Sequence, residues 1–151
     1  KTTHAHQLAA SVVMFSPLQF ILWYDRPDSY RGEPEIELFE TLPTVWDETR
    51  VLDGAIGDLI TVARRSGEDW YVAALVDENP QRVKIALDFL ETGKTYQASI
   101  YRDDESKTGS RTGVKIERVP VDNATVLSAE IPAHGGYTIR CVPRVHDDKK
   151  N

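Results

Sequence analysis

The sequence predicts a mainly β fold, in which an antiparallel Greek-key β-sandwich follows a short helix–strand–helix unit. Within the first 43 residues, apolar residues recur at helical spacing on both sides of one wholly apolar run. After residue 50 the apolar residues instead alternate with polar ones, as they do along half-buried strands. Turn-forming residues separate these alternating runs at intervals of about 10 to 12 residues, which is typical of a sandwich.

The first predicted helix covers the stretch HAHQLAASVVMF, residues 4–15. Thr2 or Thr3 can serve as its N-cap by accepting a hydrogen bond from the first turn. Pro17 cannot continue a helix and disfavours helical geometry at Ser16, so the helix should end there. The apolar side chains of this stretch fall on one face: Ala5, Leu8, Ala9, Val12 and Val13.

The apolar run FILWY, residues 20–24, predicts a strand that is buried on both faces. Such strands are typical of parallel sheets covered by helices. A polar loop follows, and residues 33–42 predict a short helix with Pro34 in its first turn. One such unit leaves its strand with two unpaired edges, so residues 1–43 should be the end of a larger parallel sheet or barrel. The apolar face of the second helix comprises Ile36, Phe39 and Leu42.

Residues 44–144 predict a separate antiparallel β-domain, and the polar tail 145–151 is predicted to be disordered. Cys141 lies in the last alternating run, which predicts a buried and inert thiol. Seven strand-like runs make up the domain: LITVARR, WYVAALVD, VKIALDF, YQASIYRD, VKIERVPVD, TVLSAEI and GYTIRCV.

The composition argues against several classes of function. The net charge is −6 and the basic residues are scattered, whereas nucleic-acid and anionic-membrane surfaces need clustered Lys and Arg. No apolar run approaches the roughly 20 residues of a membrane helix. A single cysteine excludes an intrachain disulfide and a thiolate metal cluster. His4 and His6 lie on different sides of a helix, so their spacing does not predict a metal site.

Five motifs occur in order along nearly the whole chain: HQLA, SPLQ, PTVWDETRVL, VARRSG before WYV, and GGYTIR. In combination they resemble the C-terminal part of glycoside hydrolase family 97, which contains bacterial α-glucosidases and α-galactosidases. The resemblance implies an enzyme with an N-terminal β-domain, a central (β/α)8 barrel and a small C-terminal β-domain. Residues 1–43 would then be the last helix–strand–helix of the barrel, and residues 44–144 the C-terminal domain.

The resemblance also implies the chemistry of the full-length enzyme, which is hydrolysis of α-glucosides or α-galactosides. The family's catalytic carboxylates and calcium ligands lie on earlier barrel strands and loops. We therefore expect no catalytic residue and no metal ligand in this segment, which should support the barrel but be inactive alone. Calcium, the rest of the barrel, the N-terminal β-domain and an oligosaccharide substrate are the implied partners. A periplasmic or secreted bacterial location is implied by the resemblance alone.

Three residues at the end of the predicted strand are candidates for substrate binding. Barrel active sites lie at the C-terminal ends of the strands, where Trp23, Tyr24 and Asp25 would offer aromatic faces and a carboxylate to a sugar. In the structural alternative, the two rings alternate between the barrel interior and the helix layer, and Asp25 caps the loop. His4, at the start of the first helix, would lie on the same side of the barrel and can border the site.

The motif WDET invites a catalytic assignment that its geometry does not allow. Asp47 and Glu48 are adjacent, so in an extended chain they point to opposite faces and cannot flank one glycosidic bond. We predict that Trp46, Asp47, Glu48 and Arg50 are structural instead. Trp46 would lie between barrel and β-domain, and Asp47 or Glu48 would pair with Arg50 or Arg64.

A second hypothesis is a non-catalytic β-sandwich module that binds carbohydrate or protein by itself. The two hypotheses differ in what they predict for the first 43 residues. A self-contained module should bury residues 20–24, whereas a barrel segment should leave an apolar surface that nothing in this chain covers.

Overall fold

The computed structural model describes residues 2–16, 18–21, 23, 26–106 and 112–144. The helical elements within these residues are α1 (His4–Val13), 3-10 turns at Pro27–Ser29 and Pro34–Ile36, and α2 (Glu37–Thr41). The strands are β1 (Glu48–Ala55), β2 (Leu59–Ser66), β3 (Asp69–Val76), β4 (Gln81–Ala86), β5 (Tyr96–Asp103), β6 (Val114–Val121), β7 (Val126–Ile131) and β8 (Gly136–Pro143).

The strands form two antiparallel sheets that enclose a hydrophobic core. The larger sheet has the order β1-β2-β3-β8-β5-β6, and β4 pairs with β7 in the smaller one. The chain leaves the large sheet after β3, returns for β5 and β6, and leaves again for β7 before β8 inserts beside β3. These crossovers make the Greek-key sandwich that the sequence predicts, and all seven predicted strands are confirmed.

Strand β3 is buried on both faces and lies between two hydrophobic clusters. Trp70 and Val72 belong to the core of the sandwich. Tyr71 and Ala73 point the other way, toward the helices, because successive side chains on a strand alternate. Cys141 also lies in the sandwich core, where burial raises the pKa of its thiol to about 12. The burial predicted for this thiol is confirmed.

Helix α1 follows the sequence prediction closely. The Thr3 side chain accepts a hydrogen bond of 3.1 Å from the His6 amide and so caps the helix. The helix ends at Val13, which is partly buried, and Met14 is extended. The remaining members of the predicted stripe are fully buried: Ala5, Leu8, Ala9 and Val12.

The second predicted helix is present, but its buried face differs from the prediction. It begins with the 3-10 turn at Pro34–Ile36 and continues as α2. Because a 3-10 turn has 3 residues per turn, side chains three apart eclipse each other. Glu35 and Leu38 therefore share the buried side. The residues predicted for that face are only partly buried: Ile36, Phe39 and Leu42.

The strand predicted for residues 20–24 has no strand partner among the described residues. Residues 18–21 and 23 make no strand pairing, and the Phe20 side chain is 89% exposed. A strand is held by hydrogen bonds to a neighbouring strand, and no described strand lies beside this segment. Leu22, Tyr24 and Asp25 lie outside the described residues, as does the tail 145–151.

Strand β1 is absent from the sequence prediction. Glu48 and Leu52 are its only partly buried residues, and the other six are exposed. An exposed edge strand lacks the alternation of apolar and polar residues by which strands are recognised. Among the described residues, no helix is long and apolar enough to cross a membrane.

Candidate interdomain interface

The helices pack on the outer face of the large sheet and form a second hydrophobic cluster with it, which we call the helix–sheet cluster. Leu8, Val12 and Leu38 are fully buried there. Burying one such side chain contributes roughly 1.5–3 kcal/mol, so this contact holds both helices firmly on the β-domain. The cluster comprises Leu8, Ala9, Val12, Leu38, Val62, Tyr71, Ala73 and Tyr101.

The start of α1 is bound by the turn that precedes β8. The Thr3 amide donates a hydrogen bond of 3.3 Å to the carbonyl oxygen of His134. Nδ1 of His6 lies 3.1 Å from the carbonyl oxygen of Gly135. The Gly136 amide donates a 3.2 Å bond to Oδ2 of Asp103, which joins β8 to β5 beneath the helix. The first turn of α1 is thereby tied to two strands.

Asp103 is a largely buried carboxyl group at this junction. Burial raises its pKa above the usual range, and hydrogen bonds from the Thr3 hydroxyl and the Gly136 amide oppose that rise only in part. A carboxyl with a raised pKa holds its proton to a higher pH in the folded state than in the unfolded state. Its contribution to stability therefore falls as the pH rises from the unfolded value, about 3.9, through the raised folded value.

Asp103→Asn is expected to remove this pH dependence while keeping a side-chain oxygen for the Gly136 amide. Compared with the variant, the wild-type chain should lose free energy of unfolding between pH 4 and pH 7. Urea unfolding at both pH values measures the difference. Asp122→Asn is the control: hydrogen bonds from the Thr125 side chain and the Ala124 amide lower the pKa of that carboxyl, so its trend should have the opposite sign. An equal wild-type-to-variant difference at both pH values for Asp103→Asn would contradict the assignment.

The end of α1 is bound by Arg64 of β2. This side chain is nearly fully buried, and its Nη2 donates a 2.9 Å hydrogen bond to the carbonyl oxygen of Val13. The guanidinium carbon lies 5.5 Å from the ring centre of Phe15 and 5.6 Å from that of Trp46. A cation at the C-terminal end of a helix is favourable, because the last carbonyl groups carry partial negative charge. Burial alone lowers the pKa of Arg64.

Two tyrosines of the large sheet bind α2. Tyr71 donates a 2.7 Å hydrogen bond to the carbonyl oxygen of Thr41. Tyr101 donates a 2.8 Å bond to Oε1 of Glu37, which also accepts a 2.6 Å bond from Arg118. Burial raises the pKa of both phenols, so the two hydroxyl groups remain protonated donors at neutral pH.

Tyr71→Phe is expected to lower the free energy of unfolding by about 1 kcal/mol, because removing the hydroxyl deprives the Thr41 carbonyl of this hydrogen-bond donor. Tyr96→Phe is the matched control, since its hydroxyl accepts one long bond of 3.4 Å. Denaturant unfolding of the two variants measures the difference. Equal losses for both would show that the contact with α2 contributes nothing.

The four residues predicted to be structural divide into two groups. Trp46 joins the helix–sheet cluster, with its ring edge-on to Tyr71 at 5.3 Å. Glu48 accepts hydrogen bonds from Arg50 at 2.6 Å and from Arg65 at 3.3 Å, and these bonds lower its pKa, that from Arg50 most.

Asp47 completes the second group at the junction of β1 and β2. Its Oδ2 accepts a 2.7 Å bond from the Gly67 amide and lies 3.6 Å from Nη1 of Arg65. The predicted pairing of an acidic residue with Arg50 is thus present, but Arg65 takes the place expected of Arg64. The two arginines are neighbours on β2, so their side chains leave opposite faces of the sheet.

Trp23 is the one predicted substrate residue among those described. Its indole ring centre lies 4.1 Å from that of His4 and 5.2 Å from that of Phe39. Tyr24 and Asp25 lie outside the described residues. No group of three or more His, Cys, Asp or Glu in the described parts of the chain could hold a metal ion.

Sequence reasoning missed the residues that bind the helices to the sheet. Asp103, Tyr71 and Tyr101 each occupy an ordinary strand pattern, and no local signal marks their long-range partners. In the sequence, the doublet Gly135–Gly136 is typical of a turn. A second glycine placed directly before an apolar strand can also indicate a close backbone approach, which is what the structure has.

Comparisons with known proteins match this arrangement. A family model described as "Glycosyl-hydrolase 97 C-terminal, oligomerisation" covers residues 45–142. The chain belongs to glycoside hydrolase family 97. The resemblance that the motifs indicated is therefore confirmed, together with the C-terminal place of this segment in the family.

Individual relatives and solved structures extend the match into the helical layer. A retaining α-galactosidase of Bacteroides thetaiotaomicron is 34% identical over 139 residues, which are 91% of this chain and 20% of that protein. A family 97 enzyme of Pseudoalteromonas sp. strain K8, solved with acarbose, superposes with a TM-score of 0.85 at 35% identity and covers 95% of this chain. A β-arabinopyranosidase superposes with a TM-score of 0.74 at 31% identity over 93% of this chain. The chain spans 23% and 21% of the lengths of these two structures.

Proposed function

We propose that this chain is the C-terminal end of a family 97 α-glycosidase, and that its β-domain holds the last helices of the catalytic barrel in place. The observation that carries the proposal is the attachment of α1 at both ends. Backbone groups before β8 bind its first turn, and Arg64 binds its last carbonyl. A helix attached in this way cannot shift against the sheet without breaking several contacts at once.

The uncovered side of the helical layer supports a barrel as the missing partner. Beside α1 runs a groove whose apolar residues are largely exposed, whereas monomeric proteins rarely expose extended apolar patches. In a (β/α)8 barrel, this side of the helix and the strand after it contact neighbouring strands and helices. The exposed apolar side chains of the groove are Met14, Leu18, Phe20 and Ile21.

The same exposed side chains weigh against a self-contained binding module. Such a module should bury residues 20–24, yet Phe20 and Ile21 are exposed. On the β-domain, Trp70 is buried beneath Arg50 and Arg65, so its ring offers no open face for a sugar.

An α-linked galactoside is the first substrate to test, because the Bacteroides relative is named a retaining α-galactosidase. An α-glucoside is the second. Trp23, Tyr24 and Asp25 are proposed to line the substrate site, together with catalytic carboxylates from earlier barrel strands. Calcium belongs to the proposal for the full-length enzyme only. A periplasmic or secreted location is likewise proposed from the family resemblance.

The proposal is tested by assaying aryl α-galactosides and α-glucosides, with calcium present, against two proteins. The 151-residue chain alone should show no turnover, because the family resemblance places the two carboxyl groups that flank the scissile bond on earlier barrel strands. The enzyme that carries this segment should hydrolyse one of the substrates, and removing residues 44–144 from it should abolish soluble, active protein. Turnover by the isolated chain that survives further purification would overturn the proposal.

A further inference from the structure

A groove of about 550 Å³ lies between the start of α1 and the hairpin that joins β1 to β2, and we call it the hairpin groove. Its lining includes His6 of α1 and, from the hairpin, Val51 and Ile56. Val51 is 69% exposed, and Ile56 at the tip of the hairpin is fully exposed. Monomeric proteins rarely leave an extended apolar patch open to water, so this surface indicates a contact that the chain itself does not supply.

The floor of the hairpin groove continues the interface that holds the helices. Ile60 of β2 and Leu75 of β3 line the groove. The same two side chains pack against the helix–sheet cluster. One apolar surface therefore runs from beneath α1 toward β1, and α1 covers only part of it.

The positions of α1 and α2 on the large sheet show on which side of α1 the groove lies. α2 lies toward the β5–β6 edge, where Tyr101 and Arg118 bind Glu37. α1 packs mainly on β3 and β8, in the middle of the sheet. The hairpin groove is at the β1–β2 edge, so it lies on the side of α1 that faces away from α2.

The geometry of a (β/α)8 barrel determines which element lies on that side. The helices of such a barrel form a ring in chain order, so each helix lies between the one before it and the one after it. Because α2 follows α1, the helix before α1 must lie on the opposite side of α1, over the hairpin groove. Packed helices are about 8–10 Å apart, a spacing that brings this preceding helix within reach of the hairpin.

Resting on the proposed function, in which a barrel precedes this segment, we propose that the hairpin groove binds the barrel helix before α1. Val51 and Ile56 contact the apolar face of that helix. Neighbouring barrel helices run parallel, so its first turn comes beside Asp58 and Asp77, two exposed residues that line the groove. The free amides of a first turn carry partial positive charge, which the two carboxylates complement. The β-domain then holds three consecutive barrel helices.

A second copy of the chain fits the same surface less well. Two sheets can join by pairing their edge strands, but the register of β1 is irregular between Val51 and Asp53, and Asp53 is exposed. Bulges and charged side chains are features by which edge strands avoid such pairing. Two grooves facing each other would also set Asp58 and Asp77 against their own copies, with no Lys or Arg among the described lining residues.

Cysteine labelling tests the contact, because the native thiol does not interfere. Cys141 is the only cysteine of the chain and is buried, with a pKa raised to about 12. The thiol of an Ile56→Cys variant should react rapidly with a maleimide in the 151-residue chain. In the enzyme that carries this segment it should react at least about tenfold more slowly, after subtraction of the labelling of the wild-type enzyme. Val126→Cys, 59% exposed on β7 of the small sheet, is the matched control and should react equally fast in both proteins.

A second measurement compares thermal unfolding midpoints. Ile56→Asp should lower the midpoint of the enzyme by several degrees, because it buries an unpaired carboxylate against the preceding helix. The same substitution should leave the midpoint of the isolated chain unchanged, since Ile56 is exposed there. Val126→Asp should change neither midpoint.

The outcomes separate this inference from the proposed function. Equal labelling rates for Ile56→Cys in the isolated chain and in the enzyme overturn the inference, because nothing then covers the hairpin. Slow labelling that becomes fast when the enzyme is diluted also overturns it, because a second copy then occupies the groove. A wild-type enzyme that hydrolyses neither aryl glycoside overturns the proposed function, while the labelling rates still decide whether the hairpin contacts the rest of the enzyme.

Discussion

Replacing Gly136 with alanine is expected to lower the free energy of unfolding by about 3 kcal/mol, because β8 begins against the backbone of α1 with no room for a methyl group. A Cβ there would lie 2.4 Å from the carbonyl oxygen of Ala5, 2.7 Å from its carbonyl carbon and 2.7 Å from Cα of His6. All three are backbone atoms, so no change of rotamer can relieve the overlap. The first turn of α1 or the start of β8 must move.

Gly54→Ala is the matched control for this prediction. Gly54 also lies in a strand, and its Cβ would be 3.7 Å from the carbonyl oxygen of Leu59, an ordinary contact. It should therefore change the stability by no more than about 0.5 kcal/mol. Urea unfolding gives both values, and hydrogen exchange should show faster exchange of the α1 amides in Gly136→Ala. Equal free energies of unfolding for the two variants would show that α1 can move away from the added methyl group without loss of stability.

The elements that the sequence predicts well are those whose pattern depends on one buried face. The stripe on α1 is explained by a single contact surface, the large sheet, and the alternation in β4 is explained by the sandwich core. The spacing of the apolar residues was sufficient to predict both elements. Which sheet or layer the helix contacts is a tertiary fact, and the pattern is the same whether the partner is a barrel or a β-domain.

The points on which sequence and structure differ have a common physical cause, which is dependence on partners distant in sequence. The apolar run at residues 20–24 has the composition of a strand, but a strand forms only beside another strand, and none of those described lies next to it. Strand β1 shows the reverse case, because it is exposed and polar and is held by its backbone pairing with β2. Side-chain composition records neither kind of pairing.

The different partners of Arg64 and Arg65 show the same limit of sequence-based prediction at the scale of one residue. The sequence predicts that Asp47 or Glu48 pairs with Arg50 or Arg64, whereas the structure pairs Glu48 with Arg50 and uses Arg65 instead of Arg64. Choosing between the two requires the phase of β2, which the apolar neighbours on both faces leave undetermined. If the predicted inward and outward positions of β2 are shifted by one residue, Arg65 instead of Arg64 is assigned to the contact with α1.

Arg64→Met is expected to lower the free energy of unfolding by about 2 kcal/mol, the range of a hydrogen bond made by a charged group. Methionine fills the space of the aliphatic stem and removes the cost of burying a cation. The loss therefore comes from the bond to the Val13 carbonyl and from the contacts with Phe15 and Trp46. Urea unfolding measures it, and α1 should exchange its last amides faster.

Arg65→Met on the same strand is the decisive comparison, because the two side chains differ mainly in what they contact. Arg65 is one-third exposed and pairs with Asp47 and Glu48, and such partly exposed ion pairs contribute at most about 1 kcal/mol. The Arg65→Met variant should also leave the amide exchange rates of α1 unchanged. If Arg64→Met proves as mild as Arg65→Met, the C-terminal end of α1 is held by apolar packing alone. The β-domain would then fix the helix through its first turn and the helix–sheet cluster, and not through both ends.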